Sequence, residues 1–179
     1  VALRLPPVGE ASAQPAVPEP SVPTAAAKGR ILVVDDEPMI GRVLEITLRR
    51  HHNVTSVDSA ESALSLLERG DRFDVILSDS IHPRYAGNGS LYTKDYFELC
   101  RRRLAPGGTV SMWLPMYSLT QRNFLQIIRA FRDVFPNTTI WYVPNVPNSF
   151  TIVIGRLEEG PIPLDRIARR LPGAVAREL

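Results

Sequence analysis

Two hydrophobic periods take turns along residues 30–155, one suited to strands and one to helices. Ile31-Leu32-Val33-Val34 is a short β-branched run that fits a strand buried on both faces. Pro38, at a first helical position, opens a helix over 39–50 with Ile40, Val43, Leu44 and Thr47 on one side. Residues 54–57 give a second strand. Asp58 and Glu61 have capping-box spacing ahead of Ala63, Leu64 and Leu67, which predicts a second helix ended by Gly70. A third strand covers 73–78. A helix over 92–104 follows, stopped by Pro106-Gly107-Gly108, and then a strand over 109–114. In the long helix predicted over 119–135, Phe124, Ile127, Ile128, Phe131 and Val134 recur at helical spacing and read as core. Strands over 139–143 and 150–155 are joined by Pro144-Asn145-Val146-Pro147-Asn148, too short for a crossover helix, so they form a hairpin. Residues 164–171 read as a last amphipathic helix. This alternation predicts an α/β fold, an open, doubly wound, three-layer and mostly parallel sheet with helices on both faces. Ligands of such sheets bind outside the carboxyl ends of the strands near the switch point.

Composition divides the same chain in two. All thirteen aromatic residues lie at Phe73 or beyond. Residues 1–80 carry a net charge of −4 and 81–179 a net +6, an asymmetry hidden in the overall +2. The basic half does not point to nucleic acid, because its arginines, as in Arg101-Arg102-Arg103, sit among helical apolar positions without aromatic interleaving. Residues 1–29, mostly Pro, Ala, Ser and Val, cannot bury enough surface to offset their ordering entropy and are expected to form a disordered linker. Residues 30–155 are expected to be one domain, and 156–179 a tail with a short helix. The single Cys100 makes no internal disulfide, and no apolar run approaches the ~20 residues of a membrane span, which predicts a cytoplasmic protein.

The candidate chemistry is acidic. Asp35 and Asp36 end the first strand and Asp79 ends the third, so adjacent strand tips gather three carboxylates that a divalent cation would neutralise. Acids before a helical proline also suit a helix start, so capping is the alternative for Asp35 and Asp36. With Asp35-Asp36-Glu37-Pro38, Ala63-Leu64 and Asp79, residues 30–80 resemble the response-regulator receiver family. That resemblance implies a phosphorelay module. Asp79 would be the phosphoacceptor, Mg2+ would be held weakly by Asp35, Asp36 and Asp79, and the partner would be a histidine kinase or phosphotransfer domain. The family also uses a lysine at the end of its last parallel strand and a Ser or Thr at the end of the fourth. No lysine follows Lys94, and only Ser118 and Thr120 lie near the fourth strand's end. Val1-Ala2-Leu3-Arg4-Leu5-Pro6-Pro7 resembles the closing strand of a histidine-kinase ATPase domain, as expected for a piece of a longer hybrid kinase.

A second resemblance starts on the same strand. Asp79-Ser80-Ile81-His82-Pro83, Gly89-Ser90-Leu91-Tyr92-Thr93-Lys94-Asp95-Tyr96-Phe97 and Leu104-Ala105-Pro106-Gly107-Gly108 resemble the spermidine synthases, the polyamine aminopropyltransferases, over residues 73–155. This resemblance adds an antiparallel strand and gives the order 2-1-3-4-6-5 with strand 6 antiparallel. It implies Asp79 as the acid that deprotonates the attacking amine, with Ser80, His82 and Tyr92 at the substrate. That family holds decarboxylated S-adenosylmethionine on a glycine-rich turn after strand one, where this chain has Asp35 to Gly41 with one glycine, so the cofactor is not expected. Asp58 could stand for a ribose-binding acid, but its spacing to Glu61 favours a helix cap. His51 and His52 make no metal pair with His82, Cys100 reads as a buried thiol, and Trp113 and Trp141 read as strand core. Three functions follow: a receiver-like phosphoacceptor, a synthase-like enzyme remnant, or a fusion without activity.

Overall fold

The computed structural model describes residues 28–79, 82, 83, 87–142, 149–158 and 160. The predicted linker up to residue 27, Ser80, the hairpin connection at 144–148 and the predicted helix at 164–171 lie outside these residues. The elements are β1 (Gly29–Val34), α1 (Pro38–Leu48), β2 (His52–Val57), α2 (Ala60–Glu68), β3 (Phe73–Ser78), a 3-10 turn (Asn88–Tyr92), α3 (Lys94–Arg103), β4 (Leu104–Pro115), α4 (Gln121–Val134), β5 (Asn137–Tyr142) and β6 (Phe150–Arg156). The six strands form one sheet in the order β2-β1-β3-β4-β6-β5, with β6 antiparallel to both of its neighbours. Strands from both compositional halves therefore share one hydrogen-bonded ladder. β3 is the shared strand, pairing Leu77 with Val33 on one side and with Ser111 on the other.

Alternation along the strands sorts the two faces. Leu32, Val34, Ile76, Val110, Met112, Leu114 and Val153 point to the face covered by α2, α3 and α4, where they join the main core. Phe97, Phe131 and Phe135 fill its centre, with ring centroids 5.0 Å apart for Phe97 and Phe131 and 4.9 Å for Phe131 and Phe135. Gly155 is required here, because a Cβ would stand 2.7 Å from both phenylalanines of α4 and its end. Cys100 is wholly buried in this core, and burial pushes its thiol up to about 12. Val33, Leu77, Ser111, Trp113 and Ile152 point to the other face, where α1 is the only described helix.

Local differences from the sequence expectation have physical causes. α1 seats Gly41 on Ser56 of β2, leaving Met39, Ile40, Val43 and Ile46 exposed, so the apolar stripe read from its sequence does not face a core. Ser59, not Asp58, caps α2, its side chain accepting from the Ser62 N–H. α3 starts later than its apolar pattern suggests because Thr93 caps it, accepting from the Tyr96 N–H. β4 begins ahead of Pro106-Gly107-Gly108, since Leu104 already pairs with Phe73. Trp141 is 44% exposed on the edge strand β5 and is not core, whereas Trp113 is half-buried.

Candidate functional site

The carboxyl ends of β1, β2 and β3 are clamped to one another. The Asp35 N–H donates to Val57 O and the Asp79 N–H donates to Val34 O, both at 3.0 Å. These bonds continue the parallel ladders past the last strand residues, and they fix Asp35 and Asp79 on neighbouring tips. Asp35 is 7% exposed and its Oδ1 accepts from the Glu37 N–H at 2.8 Å. The N-cap of α1 is Glu37, which makes no side-chain cap, so neither Asp35 nor Asp36 caps the helix. Asp79 stands exposed at its strand tip and Asp36 is exposed beside it. Asp35 and Asp79 line one cavity of about 100 Å3 with Ile40, Leu44, Leu77 and Trp113.

The electrostatics follow from this apolar wall and from like charge. Although Asp79 as a whole residue is exposed, partial burial against this wall pushes its carboxyl above the ordinary aspartate value, and the charges of Asp35 and Asp36 push it further. Asp35 is raised mainly by burial, with Asp36 and Glu37 adding to it and the Glu37 N–H opposing. Among the described residues no three His, Cys, Asp or Glu side chains converge to hold a metal ion. Magnesium commonly takes only one or two carboxylates and keeps several waters, so Asp35 and Asp79, which line one cavity with Asp36 nearby, are a donor set of the kind a hydrated magnesium ion takes.

Of the residues of the second resemblance, His82 and Tyr92 are described and Ser80 is not. His82 is 5% exposed, and its Nε2 lies 2.9 Å from Tyr117 O; a carbonyl only accepts, so the ring carries its proton there. Tyr92 is 6% exposed and its hydroxyl donates to Trp113 O at 3.3 Å. Both side chains tie the segment after β3 to the end of β4. Tyr92 and Lys94 also line a cavity of about 460 Å3 with Ser118, Asn123 and Gln126. Ser118 has φ of 55°, a left-handed conformation unusual for a serine. Thr120 is committed to capping α4, accepting from the Asn123 N–H. The cavity's polar amides escaped sequence reasoning, although Asn123 and Gln126 are three apart on the polar side of α4. Asp58, relieved of capping by Ser59, stands exposed after β2. A larger hollow of about 580 Å3 lies among Arg72, Arg101 to Arg103, Pro106 and Glu158, at the opposite end of β4. It shares no residue with the acidic site.

Such a sheet, with its last strand antiparallel, defines a Rossmann-like, methyltransferase-type fold. A solved spermidine synthase in complex with the transition-state analogue AdoDATO superposes with a TM-score of 0.60, covering 84% of this chain and 69% of that one at 17% identity. The family model of the spermine/spermidine synthase domain matches residues 47–159, and the chain belongs to that family. A polyamine aminopropyltransferase of Nitrosomonas europaea is 34% identical over 65 residues, which is 36% of this chain and 20% of that protein. A two-component response regulator of Oryza sativa subsp. indica is 47% identical over 60 residues, which is 32% of this chain and 9% of that protein. The chain thus spans a small part of the length of either relative. No described helix is long and apolar enough to cross a membrane.

Proposed function

We propose that the chain is a receiver-like phosphoacceptor module, carried on a frame of the spermidine synthase family, in which Asp79 takes a phosphoryl group from a histidine kinase or phosphotransfer domain. The observation that carries this reading is the pairing of Asp35 and Asp79 on one cavity, each raised by burial and by neighbouring negative charge. A nucleophilic carboxylate beside an acidic pair that favours a cation is the arrangement phosphoryl transfer needs. An Asp79 carboxylate oxygen bonds to phosphorus while the P–N bond of the donor breaks, and the departing nitrogen keeps the electron pair and takes a proton from solvent. Magnesium held by Asp35 and Asp79, with Asp36 nearby, would screen the phosphoryl oxygens. The position on β4 next to Asp79 is Trp113, after the Ser78 and Met112 pair, so no hydroxyl stands there to meet the phosphoryl group. With no lysine after Lys94 either, transfer is slow and its conformational consequence small. Cytoplasmic placement goes with this reading.

Intact mass after incubation with magnesium and phosphoramidate tests it. One phosphoryl is expected on the wild type and none on Asp79→Asn. No adduct in either protein, or equal adduct in both, removes the phosphoacceptor reading.

A second reading, a synthase-like aminopropyltransferase remnant with Ser80, His82 and Tyr92 at the substrate, is favoured by the family match and by the 460 Å3 cavity beside Tyr92. Against it stands the turn after β1. Its one glycine, Gly41, lies inside α1 with its missing Cβ accommodating Ser56, so it serves helix packing and offers decarboxylated S-adenosylmethionine no cradle. Saturable binding of a thioether nucleoside would favour this second reading. Absence of both activities leaves a fusion without function.

A further inference from the structure

At the end of the sheet away from the acidic tips, three separate parts of the chain meet around the hollow of about 580 Å3. Arg72 comes from just before β3, Arg101, Arg102 and Arg103 from the last turn of α3, and Glu158 from just after β6. Cations at a helix C-terminus favour the dipole, but that end carries only about half a unit of negative charge. Four guanidinium groups exceed it, and Arg72 is not on the helix.

Two of these groups are held in place by carbonyls. Arg72 Nη1 donates to Leu104 O at 3.1 Å, and Arg103 donates through Nε to Leu67 O and through Nη2 to Glu68 O. A guanidinium carries more N–H groups than these bonds use, so both arginines are fixed while still able to donate. Arg101 pairs with Glu98 at 2.9 Å, whereas Arg102 forms no hydrogen bond or ion pair among the described residues. Glu158 is the one acid among the described residues that line the hollow, and it pairs with none of the four arginines. The positive charge there is therefore anchored, concentrated and mostly uncompensated.

We propose that the hollow binds a condensed phosphate chain of two or three units, free or carried on an organic group. Guanidinium forks match phosphate oxygens and hold them in pairs, and these forks arrive from two separate segments of chain. The hollow has the volume of a small-molecule site, and arginines spread around it reach along a phosphate chain rather than around a single phosphate. No aromatic side chain lines it among the described residues, so it offers neither a nucleobase nor single-stranded nucleic acid a stacking platform. It shares no residue with the cavity of Asp35 and Asp79, and its ligand is independent of phosphoryl transfer to Asp79.

Calorimetric titration of the full chain with sodium tripolyphosphate, at fixed ionic strength and without magnesium, tests the site. Saturable binding is expected for the wild type. Arg102→Gln should bind about tenfold more weakly and Glu158→Gln about threefold more tightly, with far-ultraviolet circular dichroism unaltered in both. Arg122→Gln, at the start of α4 by the other end of β4, should bind as the wild type does. ATP should match tripolyphosphate, because only the phosphate chain is recognised. Absence of saturable binding, equal weakening in the Arg102 and Arg122 variants, or indifference to both changes at the hollow overturns the proposal. So does tighter binding of ATP or of single-stranded DNA than of tripolyphosphate, since either requires a surface beyond the phosphate chain.

Discussion

Up to Arg72 the chain has Asp35 and Asp36 of the acidic cluster and no Phe, Trp or Tyr; from Phe73 onward it has every one of those, Asp79 and the net positive charge. In the fold this becomes a division of labour. The five largest fully buried side chains, Tyr96, Phe73, Phe97, Phe131 and Phe135, all belong to the second region. The first region supplies the strand tips that hold Asp35 and Asp36, and a helix whose large apolar residues are mostly exposed. Packing energy is thus carried mostly by the second region, whereas the candidate chemistry is shared, with Asp35 and Asp36 from the first region meeting Asp79 at the end of β3.

The comparison breaks most severely if the two regions fold apart. β3 is hydrogen-bonded to β1 and to β4 along its length, so residues 28–79 and 82–160 produced separately are each expected to lack cooperative unfolding, measured by circular dichroism against urea. Two folded fragments would show that the shared ladder is dispensable. Next in size is the contrast between Phe131→Ala and Ile46→Ala. Phe131 is fully buried between Phe97 and Phe135, and its truncation should cost about 3–5 kcal/mol. Ile46 is 63% exposed, and its loss should stay within roughly 0.5 kcal/mol in the same urea titration.

Smaller effects sharpen the chemistry. Ser59→Ala should destabilise by about 1 kcal/mol through loss of the α2 cap, and Asp58→Ala should leave urea stability nearly unchanged. Asp79 and Asp35 are raised in the folded protein, so the stability they contribute is full below the unfolded aspartate value and is lost as pH rises through their folded values. Asp79→Asn should accordingly raise the melting temperature near pH 7 by a small amount, limited by solvent screening at this exposed residue, with the gain vanishing under acid conditions where both proteins are neutral at that position. A gain that persists at low pH would mean the carboxylate charge is not the cause.

The sheet was legible in the sequence because its signals are local. The Phe73 to Ser78 strand, the Pro38 helix start and the antiparallel pairing of β5 with β6 all agree with the structure. The order 2-1-3-4-6-5 came from the family resemblance and agrees as well. What was not legible depends on distant partners. The stripe of α1 looks the same whether or not a neighbour covers it, and only the contact of Gly41 with Ser56 shows how the helix sits. The early start of β4 rests on the pairing of Leu104 with Phe73, thirty-one positions earlier in the chain, which no local period encodes. For the candidate site, spacing identified the acids. The clamping of their strand tips and the commitment of His82 and Tyr92 to backbone carbonyls required the fold.

Cys100 gives the core a clock. It is the chain's single cysteine, and in the closed protein its thiol is both sealed and almost wholly protonated, being pushed up to about 12. A thiol reagent therefore reacts only during the moments when α3 lifts from the sheet. When reclosing outpaces reaction, the observed rate divided by that of an unstructured cysteine is the equilibrium constant for that opening. The opening free energy of the aromatic core is thus readable from a labelling half-time at a native position, without adding a probe.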